Sequence, residues 1–162
     1  MKVVGIDPGT AACGYGIVQG SGGRLREVDH GCWRTRAGER PELRLKTIFD
    51  GVAELVARHA PDAVVLEESF VGADARTALA VGQARGAVLV ACAAAGVECA
   101  EYAPARVKQA VCGYGRADKA QVQRMVKTIL GLAETPTPTH ASDALAVAIC
   151  HALAPPLLRI AG

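Results

Sequence analysis

Aromatic residues are scarce in this chain, since Trp, Tyr and Phe together make up 4% of its 162 residues. The core must therefore be built from Ala, Val, Leu and Ile. Hydrophobic residues reach 51% and charged residues 21%, a balance typical of a globular protein rather than a disordered one. We expect a single domain over residues 1–162, with a tail beyond about residue 154 that is free to be flexible.

Zinc-binding cysteine pairs, a signal sequence and a long apolar run are missing as well. No two of the six cysteines have Cys-x-x-Cys spacing, so we expect free thiols in a reducing cytoplasm rather than a structural zinc site. The first apolar run ends at Asp7, which leaves no room for a signal sequence. Gln83 and Arg85 interrupt the longest apolar stretch, residues 77–96, so we expect a cytoplasmic protein without a membrane span.

The net charge is small, but its distribution is uneven. The formal value of +2 is too low to indicate a nucleic-acid partner by itself. Residues 104–131, however, hold six basic residues against the single acid Asp118, which makes this segment +5 and the rest of the chain −3. A one-sided basic segment favours a nucleic-acid surface, although two solvated helix faces would give the same pattern. The six basic residues are Arg106, Lys108, Arg116, Lys119, Arg124 and Lys127.

Turn residues and hydrophobic periodicity predict a mixed α/β fold. β-rich runs over residues 2–7, 15–19 and 25–33 are separated by turn residues, which indicates hairpin-linked antiparallel strands. Apolar residues then recur at helical spacing over residues 39–60. Crossover helices should make the later strands parallel, so the sheet is mixed. Those helices are predicted over 77–95, from Pro104 to Gly113, over 117–132 and over 140–153, with strands over 62–69 and 97–102.

Ionisable side chains stand at the ends of the predicted apolar elements. Asp7 ends the first strand and Glu67 ends the central strand, while His140 and Asp143 share one face at the start of the last helix. Acids that point into one crevice are costly to bury unless a cation compensates them. Carboxylate oxygens suit Mg²⁺ or Mn²⁺, so these four residues predict a metal site.

The two strand-end acids predict a specific arrangement. If the first and fourth strands are neighbours, Asp7 and Glu67 lie about 5 Å apart, and one carboxylate could bridge two ions roughly 4 Å apart, as in phosphodiester cleavage. Simpler interpretations also exist: Asp7 as a turn acid, Asp143 facing the helix dipole, and His140 as a cap or surface histidine. Glu67 is harder to explain in this way because it lies in a buried run, whereas Glu68 points to the opposite face.

Five stretches in order along the chain carry a family resemblance: GIDPGTAACGYGI, LEESF, ARTALAVGQARGA, YAPARVKQAVCGYGRADKAQVQRMV and HASDALAVAI. Together they resemble the RuvC family of bacterial crossover junction endodeoxyribonucleases, or Holliday junction resolvases, from Lys2 to about Leu153. The resemblance implies a ribonuclease H-like fold with a five-stranded mixed sheet in the order 3-2-1-4-5. It also implies a homodimer that nicks two opposed strands of a four-way DNA junction, with Mg²⁺ or Mn²⁺ and with the branch-migration proteins RuvA and RuvB.

The resemblance assigns the ionisable cluster to catalysis. By position, Asp7 and Glu67 match the first two catalytic acids of the family, and Asp143 matches the last. The third position holds aspartate in the family pattern and His140 here. A neutral imidazole can bind a metal, Mn²⁺ better than Mg²⁺, or act as a general acid or base, and both roles stay open.

DNA contacts are also implied. Phe70 matches an aromatic that enters the junction near the cut, where a ring can stack on an unpaired base for about 1–3 kcal/mol. A core position is the simpler interpretation of a lone Phe after a strand. Lys108 and Lys119 match basic positions linked to DNA contact or catalysis, and Arg76 and Arg116 are further candidates for phosphate contacts.

The helix predicted over residues 77–95 is rich in Ala and Gly, which permits close approach of a second helix. We place the dimer interface there, with burial inside the monomer as the equally weighted alternative. Two other functions fit less well. Residues 7–10 also resemble the phosphate hairpin of actin-like ATPases and sugar kinases, but the chain has no second such hairpin. A junction-binding module without catalysis would need no acid cluster.

Overall fold

A five-stranded mixed sheet organises the computed structural model of the chain, which describes residues 1–68 and 74–155. The strands lie in the order β3-β2-β1-β4-β5, so the predicted α/β class and sheet order are confirmed. The elements are β1 (Lys2–Asp7), β2 (Ala12–Ser21), β3 (Arg24–Arg34), α1 (Pro41–His59), β4 (Ala63–Glu67), α2 (Ala75–Ala95), β5 (Glu98–Tyr102), α3 (Pro104–Cys112), α4 (Lys119–Leu130) and α5 (Thr139–Leu153).

Strand direction brings several carboxyl ends to one edge of the sheet. β2 runs antiparallel to both β1 and β3, so β1 and β3 run in the same direction. β4 pairs in parallel with β1, and β5 with β4. The carboxyl ends of β1, β3, β4 and β5 therefore meet at the same edge, which we call the carboxyl edge.

Helices cover both faces of the sheet. Side chains alternate along β1. Val3 lies on the first face, which α3, α4 and α5 cover, and Val4 and Ile6 lie on the second face, which α1 and α2 cover. Both layers are mainly aliphatic, with Tyr102 in the first and with Tyr15, Trp33 and Phe49 packed against the second. Asp7 continues the alternation of Val3 and therefore belongs to the α5 face.

Glycines in the strands let α5 approach the sheet closely. A Cβ atom at Gly5 would collide with the carbonyl oxygen of Ala144, and one at Gly14 would collide with the carbonyl oxygen of His140. A glycine inside a strand often marks such a close approach. These positions set how near the first turns of α5 come to the end of β1.

Predicted and observed element boundaries differ by a few residues for local reasons. α1 begins at Pro41 rather than residue 39, since proline is favoured in the first turn, and it ends at His59 because Ala60 is left-handed with φ 43°. α4 begins at Lys119 rather than residue 117. Asp118 caps it by accepting from the Gln121 backbone N–H, and the Gln121 side chain accepts from the Asp118 N–H in return.

Helix α2 has one buried face and one exposed apolar face. Leu79 and Val90 are 65% and 60% exposed. By length and composition alone, α2 is also the one helix in the described part of the chain that could cross a membrane, a test that core helices of soluble proteins pass as well. Its Arg85 pairs with Glu101 of β5. The buried residues are Ala84, Val88, Ala91 and Cys92.

Two expectations fall outside the described residues. Phe70 lies in the segment 69–73, and the tail beyond about residue 154 lies mainly in residues 156–162.

Candidate active site

The ends of β1 and β4 place two acids side by side at the carboxyl edge. Ile6 pairs with Leu66 across these parallel strands, and Asp7 and Glu67 are the next residues on each. Neighbouring strands of a sheet lie about 4.8 Å apart, so the two acids start from adjacent backbone positions. Both carboxylates are partly buried.

The first turn of α5 adds a histidine to this pair. His140 Nδ1 hydrogen-bonds Asp7 Oδ2 at 2.6 Å, across 133 positions of the chain. The contact forms because Gly14, which pairs with Asp7 across β1 and β2, leaves room for the α5 backbone. His140 therefore contacts Asp7, although its side chain is 47% exposed.

A lysine from α4 completes the cluster. Asp143 lies one turn after His140 on α5, and its Oδ2 atom accepts a hydrogen bond from Lys119 Nζ at 2.7 Å. Lys119 is the first residue of α4, so the capping box around Asp118 fixes where its side chain starts. The family resemblance links Lys119 to DNA contact or catalysis, and the structure places its Nζ atom in contact with Asp143.

The carboxylates of Asp7, Glu67 and Asp143 lie close enough for their charges to interact. Burial raises the pKa of Asp7, with a further increase from the charge of Asp143, while the His140 hydrogen bond lowers it. Burial likewise raises the pKa of Glu67, and the charges of Asp7 and Asp143 add to it, against the lowering effect of Lys108 and Lys119. Three acids face the two lysines Lys108 and Lys119, so the ionised cluster has one negative charge more than these lysines neutralise.

The donor set suits a hard divalent cation. Carboxylate oxygens with one imidazole nitrogen are ligands that Mg²⁺ and Mn²⁺ accept, and added positive charge would offset the mutual repulsion of the acids. Within residues 1–68 and 74–155, no three His, Cys, Asp or Glu side chains are already arranged as a metal cage. His140 engages Asp7, and Lys119 engages Asp143. Metal binding would therefore need these two side-chain contacts to rearrange.

The remaining predicted DNA contacts lie at different distances from the cluster. Lys108 on α3 is close enough for its charge to lower the pKa of Glu67. Arg116 is exposed just before α4, and Arg76 is exposed in the first turn of α2. Phe70 belongs to the segment outside the described residues, so its predicted role stays a prediction.

Sequence reasoning overlooked the role of Gly14. Because glycine has no side chain, His140 can lie close to this position: an added Cβ at Gly14 would be 2.8 Å from the Cβ of His140. The signal was present in the sequence, because Gly14 and Gly16 alternate within a strand and glycine weakens strands unless close packing requires it.

The raised pKa of Glu67 predicts a pH-dependent stability of the metal-free protein. Between the unfolded and folded pKa values, the folded state binds more protons, so the free energy of unfolding falls as pH rises. Glu67→Gln removes this penalty. We expect the variant to be more stable than wild type at pH 7 in a chelator, with the difference vanishing below about pH 4.

Urea denaturation at both pH values measures this effect, with Glu68→Gln at the adjacent exposed position as the charge-matched control. A wild-type protein as stable as Glu67→Gln at pH 7 would show that burial imposes no charge penalty on this carboxylate.

Comparisons with known proteins agree with the geometry. The family model for crossover junction endodeoxyribonuclease RuvC matches residues 3–151. The RuvC protein of Moorella thermoacetica is 54% identical over 152 residues, covering 94% of this chain and 91% of its own length. The Thermus thermophilus RuvC structure is 43% identical with a TM-score of 0.87, covering 94% of this chain and 93% of its own. T. thermophilus RuvC in complex with Holliday junction substrate is 41% identical with a TM-score of 0.91, covering 99% and 96%.

Proposed function

The chain belongs to the RuvC family of crossover junction endodeoxyribonucleases, and from that premise we propose that it resolves four-way DNA junctions with the cluster of Asp7, Glu67, His140 and Asp143. It is an endodeoxyribonuclease of DNA recombination with a ribonuclease H-like fold. Family membership also implies dependence on a divalent metal. We assign the reaction as paired symmetric nicking of two opposed strands during homologous recombination and repair.

One observation supports the assignment of the site above the others. Two parallel strands and one helix, far apart in sequence, bring three partly buried carboxylates together, and burial raises the pKa of both Asp7 and Glu67. A module that only binds DNA gains nothing from a concentrated negative charge, because the DNA backbone is itself an anion. A metal-dependent nuclease needs such a cluster.

Asp7, Glu67, His140 and Asp143 would hold two ions, Mg²⁺ or Mn²⁺, at this edge. When bound, the ions would activate the attacking water and stabilise the leaving 3′ oxygen. The chain's own contribution is to hold the donors in place. Without metal, His140 Nδ1 orients the carboxylate of Asp7 and Lys119 holds that of Asp143. Once Asp143 turns to the metal, Lys119 would remain beside the site as a positive charge.

Several basic side chains and one ring would hold the DNA. Lys108 and Lys119 flank the acids and contribute positive charge beside a bound phosphate. Arg76 and Arg116 are exposed and would contact phosphates farther away. Phe70 would stack on an unpaired base near the cut, as the sequence predicts.

A homodimer would supply the two active sites that paired nicks require. The exposed apolar face of α2, which includes Leu79 and Val90, supports an interface there. Gly82 and Gly86 have no atom within 4 Å of a built Cβ, so a second helix could approach closely at these positions. We place the reaction in the cytoplasm, with RuvA and RuvB as partners, because the family implies both.

The proposed activity is tested with a synthetic four-way junction incubated with the protein, with and without Mn²⁺. We expect symmetric nicks on two opposed strands in the presence of metal only. Binding without cutting under every divalent metal would instead indicate a junction-binding module. ATP turnover without nicking would contradict both interpretations.

The role of His140 is tested by the metal preference of cleavage in variants at this position. His140→Ala should abolish cutting, because Asp7 loses its hydrogen bond with His140 and the site loses a donor. His140→Asp should shift the ratio of rates towards Mg²⁺ over Mn²⁺, since oxygen donors suit Mg²⁺ better than imidazole does.

Rates measured in each metal check this, with His30→Ala on β3 as a matched control. Full activity of His140→Ala would end the assignment of His140 to the site.

A further inference from the structure

A second basic surface lies at the carboxyl edge, on the side away from Lys108. β3 ends there at Arg34, because β3 runs in the same direction as β1. Asp7 pairs with Gly14, and Gly14 pairs with Cys32, so these three residues form one row across the sheet. Arg34 lies two residues beyond Cys32 towards the edge.

Alternation places Arg34 on the same face as the catalytic acids. Directly paired residues point to the same side of a sheet, as do residues two apart on one strand. Two strand spacings and two residue rises put Arg34 about 12 Å from Asp7, measured between Cα atoms. The pKa of the intervening Cys32 agrees: burial raises it, the charge of Arg34 lowers it, and the charge of Asp7 raises it.

The connector after β3 is fastened to the turn that follows Asp7. Thr35 Oγ1 donates to the carbonyl oxygen of Thr10 at 2.5 Å, and the Thr35 N–H donates to the carbonyl of Ala11 at 3.1 Å. Arg44 Nε of α1 donates in turn to Thr35 Oγ1 at 2.8 Å. Because these bonds hold Thr35 in place, its neighbours Arg34 and Arg36 have a fixed backbone position relative to the turn that follows Asp7.

Both arginines line an open cavity of about 650 Å³ between the end of β3 and the start of α1. Their side chains are exposed, and within the described part of the chain no carboxylate lies within ion-pair distance of either. Nearby basic residues differ, since Arg40 pairs with Glu42 and Lys46 pairs with Asp50. The two guanidinium groups therefore remain available for an anion from outside the chain.

We propose that Arg34 and Arg36 bind backbone phosphates of the substrate DNA on the β3 side of the phosphate that is cut. This inference rests on the proposed function. Lys108 and Lys119 hold the backbone on the β4 side of the acids, and the arginine pair holds it on the β3 side. The DNA strand is thereby held on both sides of the phosphodiester bond that breaks.

The salt dependence of binding tests the contact. Affinity for a labelled four-way junction is measured without divalent metal over a range of salt concentrations, for wild type and for Arg34→Gln/Arg36→Gln. Each phosphate contact that is lost lowers the slope of log affinity against log salt by about 0.9, so the double variant should lose about 2 in slope and bind more weakly. Arg34→Lys/Arg36→Lys keeps both charges and should retain most of the slope.

Arg24→Gln is the matched control, because Arg24 is exposed on the same strand but at the opposite edge of the sheet. Its slope should equal that of wild type. An unchanged slope in the double glutamine variant would overturn the proposal. The proposal would also be overturned if Arg24→Gln lost as much slope per removed charge as the double variant does, since bulk charge would then explain the effect. A wild-type protein that neither binds nor cuts the junction would overturn the proposed function itself, and this contact with it.

Discussion

Glu67→Gln is expected to abolish cleavage of a four-way junction without weakening its binding. The substitution keeps the shape of the side chain and removes the negative charge that the site needs to hold a divalent metal. Metal assistance contributes several kcal/mol to such reactions, so the rate should fall at least about 10³-fold. Single-turnover cleavage with excess enzyme measures the rate, and a gel-shift assay measures the affinity. Asp7→Asn should behave in the same way.

Glu68→Gln provides the control for this experiment, because it removes the same charge at the adjacent, exposed residue. Its cleavage rate should stay at the wild-type level. Substantial cleavage by Glu67→Gln, or an equal loss in both variants, would show that the acid at the end of β4 has no specific part in the reaction.

Gly14→Ala is expected to disable the site through packing alone. The added methyl group would overlap the carbonyl oxygen of His140 and press on its Cβ, and neither the helix backbone nor the strand can yield easily. Overpacking of this kind costs about 1–3 kcal/mol. It should also move His140 and Asp143 away from Asp7, so cleavage should fall far more than the fraction of folded protein does. Chemical denaturation and cleavage by the same preparation measure both effects.

Gly38→Ala is the matched control, because no atom lies within 4 Å of a Cβ built there and its backbone requires no positive φ. It should fold and cut as wild type does. Wild-type stability and activity in Gly14→Ala would contradict the view that α5 is seated on the glycines of β2.

The acids at the strand ends, Asp7 and Glu67, could be predicted as site residues from the sequence. Each ends an apolar run, where a charge is costly to bury unless it is compensated. That Asp7 and Glu67 are neighbours required the order of the strands, which the family resemblance implied and the structure confirms. Periodicity alone does not determine strand order. It depends on how the crossover helices pack.

The contact between Lys119 and Asp143 could not be predicted in the same way. It depends on the packing of α4 against α5, and 24 residues including a proline-rich connector separate the two side chains. Arg34 was overlooked for a related reason. Its charge lies far along the chain from the basic segment, and only the shared direction of β1 and β3 brings it to the same edge as Asp7.

Helix α2 shows a different limit of sequence reasoning. Its Ala-rich composition fits burial in the monomer and a dimer interface equally well, because small residues suit both. The structure buries one face of the helix and leaves Leu79 and Val90 on the other face exposed. The two interpretations therefore apply to different faces of the same helix, with the interface remaining a proposal.

The central claim is that Asp7, Glu67, His140 and Asp143 form one metal centre. The most direct measurement is an anomalous difference map, recorded at the manganese edge, from a crystal soaked in Mn²⁺. We expect two peaks at the carboxyl edge, both in contact with the carboxylate of Asp7 or of Glu67, with Asp143 released from Lys119. An absence of peaks in this cluster, with His140 still bonded to Asp7 and Lys119 still bonded to Asp143 at saturating Mn²⁺, would contradict it.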